Sequence, residues 1–253
     1  MGILEGRTAI VVGASSGVGY GCALCFAEEG ANVLACARRL DRLEKLAKEA
    51  AGMDGRIVPM TCDVSKEEDL DKVVKKTISE FGKVEILACI AQGGLEHPTA
   101  LLEATTELAV ESYITGPVYT MLLIQKCLPY MKEQHYGRII TCASAAAVTG
   151  VPGYASYAMA KGAIMALTRF ASRELGQYGI TVNCFLPVIK TEAFDFSPQG
   201  REAAELICAV SPLGYFGDAY KDCGPIVAFM ASEGSQYMNG QFIGIDGGIT
   251  VLA

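Results

Sequence analysis

Arg7-Thr8-Ala9-Ile10-Val11-Val12-Gly13-Ala14-Ser15-Ser16-Gly17-Val18-Gly19 is the stretch whose reading decides the fold. Its first half is a β-branched apolar run, the pattern of a strand buried on both faces, and Gly13 ends it. Its second half opens a helix that runs to about Glu29. Glycines placed where a strand hands over to a helix have a definite use. Gly13 permits a tight turn, Gly17 lets backbone approach a pyrophosphate, and Gly19 lets helix and strand pack closely, with the helix amino end facing the negative charge. The spacing here is Gly-x-x-x-Gly-x-Gly.

Outward from this stretch the same alternation continues. Strands are expected at Asn32 to Ala37, Arg56 to Thr61 and Glu85 to Ala91, each followed by a helical pattern. The helix after the second strand spans Arg39 to Ala51, and the one after the third runs to Phe81 from an N-cap at Ser65, with Glu68 completing a capping box. A long helical region, Thr105 to His135, precedes a fifth strand at Ile139 to Ala143. A sixth strand, Ile180 to Leu186, follows a helix from Ser156 to about Gln177. From Val188 to about Tyr220 the period is lost and Pro198, Gly200, Pro212 and Gly214 mark turns, so this segment, 188–220, reads as a substrate lid. A helix from Asp222 to Ala231 and a last strand, Gln241 to Ile245, close the chain. Continuously apolar strands alternating with helices predict one α/β domain, a Rossmann-type doubly wound parallel sheet covered on both faces, over residues 1–253.

Composition excludes several functions. The chain has 253 residues, with 21 basic against 28 acidic side chains and a net charge of −7, and no long run of one sign. Nucleic acid and anionic membranes would need a basic patch, so neither is an expected partner. No apolar stretch reaches bilayer length, and Met1 to Arg7 carries charge almost at once, so a soluble cytoplasmic protein is expected. Ten cysteines include one Cys-x-x-Cys, Cys22 and Cys25, but the others are scattered and only His97 and His135 could assist them. No metal site is expected, and reduced cysteines acting as small core residues are the better account.

The chemistry centres on Ser144 to Lys161. Tyr157 and Lys161 are four apart on a helix that begins after Pro152-Gly153, so they share a face. A free phenol has a pKa of about 10, and a fixed ammonium nearby favours its ionised form. Tyr157 could then exchange a proton with an alcohol or carbonyl oxygen, while Ser144 donates a hydrogen bond to that oxygen. After the second strand Ala37 fills the place where a carboxylate would take a ribose 2′-hydroxyl, and Arg38 and Arg39 follow. A missing acid and a guanidinium favour a 2′-phosphate, hence NADP(H) over NAD(H).

Together these residues resemble the classical short-chain dehydrogenase/reductase family over essentially the whole chain. The resemblance rests on the Gly13 to Gly19 loop, Asp63-Val64, the order Ser144, Tyr157, Lys161, the run Asn183 to Pro187 with Thr191, and Asp246-Gly247-Gly248. It implies Ser144, Tyr157 and Lys161 as catalytic residues, with Tyr157 as general acid and base. It implies a cofactor site of Gly13, Ser15, Ser16, Gly17, Val18, Gly19, Arg38, Asp63, Val64, Ala91, Tyr157, Lys161, Ile189 and Thr191. A homo-oligomer, dimer or tetramer, built through the long helices is also implied. Four places depart from the family pattern. Cys89-Ile90-Ala91-Gln92 replaces Asn-Asn-Ala-Gly, Tyr113 stands where a relay asparagine is expected, Pro187-Val188 lacks the usual glycine, and Val12 replaces a threonine.

The expected function is therefore an NADP(H)-dependent oxidoreductase interconverting a ketone and a secondary alcohol. Phe194, Phe196, Leu206, Ile207, Leu213, Tyr215 and Phe216, with Leu95 and His97, suggest an apolar, cyclic, steroid-like or polyketide-like substrate. A catalytically retired nucleotide-binding protein and a dehydratase or epimerase on the same fold are the alternatives.

Overall fold

A parallel strand can be continuously apolar only where helices cover both its faces, and the layers follow from that requirement. The computed structural model describes residues 2–94, 98–191 and 198–250. Its sheet comprises β1 (Thr8–Val12), β2 (Asn32–Ala37), β3 (Arg56–Thr61), β4 (Ile86–Cys89), β5 (Gly137–Cys142), β6 (Ile180–Pro187) and β7 (Phe242–Ile245). All are parallel, in the order β3-β2-β1-β4-β5-β6-β7. The helices are α1 (Gly17–Glu28), α2 (Leu40–Glu49), α3 (Glu67–Phe81), α4 (Thr106–Tyr113), α5 (Tyr119–Glu133), α6 (Ala146–Thr149), α7 (Ala155–Leu175), α8 (Pro198–Val210) and α9 (Gly224–Ala231).

Successive residues of β1 serve opposite faces, as a strand's period of two requires. Ala9 and Val11 join a core with Leu43 and Leu46 of α2 and Val227 and Met230 of α9. Ile10 and Val12 join Leu70 and Val73 of α3, Leu123 and Met131 of α5, and Leu175 of α7. Pro59 is tolerated inside β3 because that strand is the sheet's edge. Strand order reverses between β1 and β4, and at such a switch point the loops leaving the carboxyl ends diverge into a crevice.

The opposite, amino-terminal end is closed by charge. Buried Glu85 meets Arg7 at 2.5 Å, Lys83 at 2.7 Å and the Thr8 amide at 3.0 Å. Arg7 and Arg138 both lie 4.2 Å from the centre of the Tyr136 ring. Nine of the ten cysteines are buried, and burial pushes the thiols of Cys127 and Cys142 up to about 12. No helix among the described residues is long and apolar enough to cross a membrane.

Four local expectations need correction. Ser65 is not the cap of α3: its amide and hydroxyl both bond the Asp63 carboxylate, at 3.1 and 2.7 Å, so the helix starts two residues later. The long helix between β4 and β5 is broken at Ile114–Val118 by a π-turn containing Pro117, whose missing N–H cannot serve an α-helical ladder. The aperiodic segment after β6 contains helix α8. Finally, α9 begins at Gly224, preceded by a second π-turn, Ala219–Cys223, that Asp218 caps through the amides of Tyr220 and Lys221.

Candidate active site

β5 delivers its last residues to the carboxyl end of the sheet, where the Ala143 amide bonds Phe185 O at 2.9 Å and Ser144 follows. Ser144 is half-buried, and its hydroxyl accepts from the Ala146 amide at 3.2 Å, fixing the entry to α6. Gly153, at φ 83°, turns the chain into α7. One turn into that helix Tyr157 is half-buried, and a turn later Lys161 is 2% exposed.

A buried ammonium must be satisfied, and this one is: Lys161 Nζ donates to Cys142 O at 2.7 Å. The same nitrogen lies 5.6 Å from the centre of the Tyr157 ring. Ser144 follows two residues beyond the carbonyl that holds Lys161, at the same end of β5. Tyr154 packs edge-on against Tyr157 with centroids 6.4 Å apart and limits the phenol's movement.

The glycine loop lies beside them at the carboxyl end of β1. Gly13 has φ 97°, and a Cβ there would lie 2.6 Å from the Ala91 amide nitrogen. A Cβ on Gly19 would lie 2.2 Å from Gly13 O. Both contacts are backbone, so only glycine lets α1 start this close to β1 and β4. The N-cap of α1, Ser16, makes no side-chain bond to the helix, and its first turn carries no acid, so the amino end is left open to an anion. This cradle fits the pyrophosphate of a dinucleotide. Thr191 is drawn to the same loop, its Cγ2 3.0 Å from a Cβ built on Gly17, and Ile189 is buried beside Gly217 through a one-residue bridge.

Beyond β2, Ala37 is buried and Arg38 is exposed. The hydroxyl and amide of Ser65 hold the Asp63 carboxyl below its usual range, with smaller contributions from Lys66 and then Arg38. Of the two arginines that follow Ala37, the sequence analysis placed Arg38 in the cofactor site, and it is Arg39 that is hydrogen-bonded to the glycine loop. Its Nη2 donates to Ser15 Oγ at 3.0 Å and Ser16 Oγ at 2.7 Å, a clasp across 24 residues whose only sequence signal was the paired arginines.

The loop after β4 keeps its shape without the usual asparagines. The amides of Ile90 and Ala91 both donate to Val12 O at 3.0 Å, and the hydroxyl of buried Tyr119 donates to Ala91 O at 3.1 Å. The Gly93 amide donates to Thr115 Oγ1 at 3.1 Å. Tyr113 ends α4, and its hydroxyl makes no hydrogen bond among the described residues. Of the lid side chains, Leu206, Leu213 and Tyr215 are exposed, while Leu95, His97, Phe194 and Phe196 lie outside the described residues.

A phosphate cradle at the switch point, next to a Ser-Tyr-Lys cluster, defines a dinucleotide-binding oxidoreductase. Residues 13–250 match the family described as enoyl-(acyl carrier protein) reductase. The chain is 31% identical to a 3-oxoacyl-[acyl-carrier-protein] reductase of Thermotoga maritima over 252 residues, covering 98% of this chain and 99% of that one. It is 32% identical to a 12alpha-hydroxysteroid dehydrogenase of a Clostridium species, covering 98% of each. A solved structure described as a short-chain alcohol dehydrogenase from Sinorhizobium meliloti superposes with a TM-score of 0.90 at 25% identity, covering 97% of both chains. The chain belongs to the short-chain dehydrogenase/reductase family and is an NAD(P)-dependent oxidoreductase.

Proposed function

We propose that this enzyme interconverts a ketone and a secondary alcohol on an apolar, cyclic small molecule and prefers NADP(H). The observation that carries the reading is the buried Lys161 ammonium, fixed by Cys142 O at 2.7 Å and held 5.6 Å from the centre of the Tyr157 ring. The bound cofactor would supply or accept the hydride. The chain's own residues handle the oxygen: Ser144 donates a hydrogen bond to it, and Tyr157 gives or takes its proton. Lys161, anchored by Cys142 O with its Nζ 5.6 Å from the centre of the Tyr157 ring, would hold that end of the site in place.

Gly13, Ser15, Ser16, Gly17, Val18 and Gly19 would hold the pyrophosphate, Asp63 and Val64 the adenine, and Ala91, Ile189 and Thr191 the remaining length of the cofactor. Preference for NADP(H) is supported by Ala37 in place of an acid and by Arg38 and Arg39, whose forked donors suit a phosphate. A cyclic substrate is supported by the steroid named for the clostridial relative. Association into a homo-oligomer is supported by Val110, Ile114, Val118 and Met121 exposed along α4, the π-turn and α5, and by Phe170, 64% exposed on α7. The segment 188–220 would close over the substrate as a lid.

The test is NADPH and NADH consumption against a panel of cyclic ketones, with Tyr157→Phe as control. Turnover that Tyr157→Phe abolishes supports the reading. Cofactor binding without turnover of any ketone or alcohol would sink it.

A further inference from the structure

A proton carrier must present its hydroxyl to the substrate at one angle, yet the Tyr157 hydroxyl makes no hydrogen bond among the described residues and its ring is only half-buried. Its orientation therefore falls to packing. Lys161 Nζ lies 5.6 Å from the ring centre, and Tyr154 meets the ring edge-on, with centroids 6.4 Å apart and planes 70° apart. Both tyrosines line a recess of about 10 Å³ together with Thr99 and, from α4, Leu108, so the rings have little room to swing on that side.

Tyr154 is itself fixed from two directions. It stands just before α7, where its carbonyl accepts from the Ala158 amide at 2.7 Å and its amide donates to Val151 O at 3.4 Å. The loop after β4 supplies the second hold. The Thr99 amide donates to Gly153 O at 2.8 Å, Thr99 and Tyr154 form a one-residue parallel bridge, and Pro98 Cβ lies 3.5 Å from where a Cβ on Gly153 would stand. The Tyr154 hydroxyl makes no hydrogen bond among the described residues, so it is the ring that the site uses.

We propose that Tyr154 is a positioning residue for the reaction: its ring sets the angle of the Tyr157 phenol, and the bridge from Thr99 ties that angle to the loop after β4. The inference rests on Tyr157 being the proton carrier. Tyr154 acts through Tyr157 and neither gains nor loses a proton. Packing of an aromatic edge on an aromatic ring is directional, so an aliphatic side chain that fills the same space does not replace it.

The test compares Tyr154→Ala, Tyr154→Leu and Tyr154→Phe on a ketone that the wild-type enzyme reduces. For the alanine variant kcat is expected to fall on the order of tenfold to 100-fold, the effect of a displacement near 1 Å in a positioned site. The NADPH dissociation constant and the pKa in the pH profile of kcat should not change. Tyr154→Leu fills most of the space, guards against a poorly folded alanine variant, and should lose kcat as well. Tyr154→Phe keeps the ring and should rescue kcat to within about twofold of wild type. Thr99→Pro removes the amide that holds Gly153 O; it should lower kcat too, and its loss should not add in full to that of Tyr154→Ala. An unchanged kcat in either aliphatic variant, an equal loss in Tyr154→Phe, or a loss matched by weaker NADPH binding overturns the positioning role. Fully additive losses overturn the link through Thr99. A wild-type enzyme that binds NADPH and turns over no ketone overturns the assignment of Tyr157 itself, which is a different failure.

Discussion

Gly19→Ala puts the phosphate cradle to a quantitative test. The new methyl would lie 2.2 Å from Gly13 O and must retreat to at least 3.0 Å, so the start of α1 and the end of β1 have to part by about 0.8 Å. Both partners are backbone, and no side-chain rotation relieves the clash. Overpacking of this kind costs about 1–3 kcal/mol of stability, and a displacement near 1 Å in a positioned site costs on the order of 100-fold. Cofactor titration by fluorescence is expected to show NADPH and NADH weakened alike, by about tenfold to 100-fold. Gly162→Ala is the control: it lies in α7 beside Lys161, has open space where its Cβ would go, and should be neutral or stabilising by about 0.5–1 kcal/mol. If Gly19→Ala binds cofactor as tightly as the control, the close approach of α1 to β1 is not what builds the cradle.

Three further outcomes are expected. Arg38→Ala should raise the KM for NADPH far more than for NADH, and an equal effect on both would count against a 2′-phosphate contact. Tyr157→Phe should lower kcat by about 10²- to 10⁴-fold while cofactor binding persists, measured by stopped-flow and equilibrium titration. Stability should fall in alkali: burial raises the folded-state thiols of Cys127 and Cys142 to about 12, so their contribution is complete below the unfolded value of about 8.5 and is lost as pH rises. By pH 10 each withdraws about 2 kcal/mol, a large share of a margin of about 5–15 kcal/mol. Urea midpoints that stay level between pH 8 and pH 10 under reducing conditions would refute this.

Much of the fold could be read from the chain because its strands are encoded locally. β2 and β3 fall on the expected residues, since an uninterrupted apolar run bounded by polar residues has few other uses. The pairing of Tyr157 with Lys161 was legible for a similar reason: helical spacing alone puts the two on one face, and Lys161 Nζ lies 5.6 Å from the centre of the Tyr157 ring. What escaped was non-local. Nothing near Ser65 says that Asp63 will capture it, and nothing near Arg39 says that its guanidinium will fold back 24 residues onto Ser15. The π-turn did leave a trace, Gly116-Pro117 in a helical run, but its consequence depends on Gln92 arriving from another element.

That π-turn counts as one residue inserted into an otherwise continuous helix, and such an insertion rotates everything after it by about 100°. The rotation lets α4 address α7 while α5 turns Tyr119, Leu123, Cys127 and Met131 towards the layer it shares with α3. Deleting a single residue between 114 and 118 would therefore mend the helix and misplace its packing face in the same stroke. At this point of the chain, the number of residues matters as much as their kind.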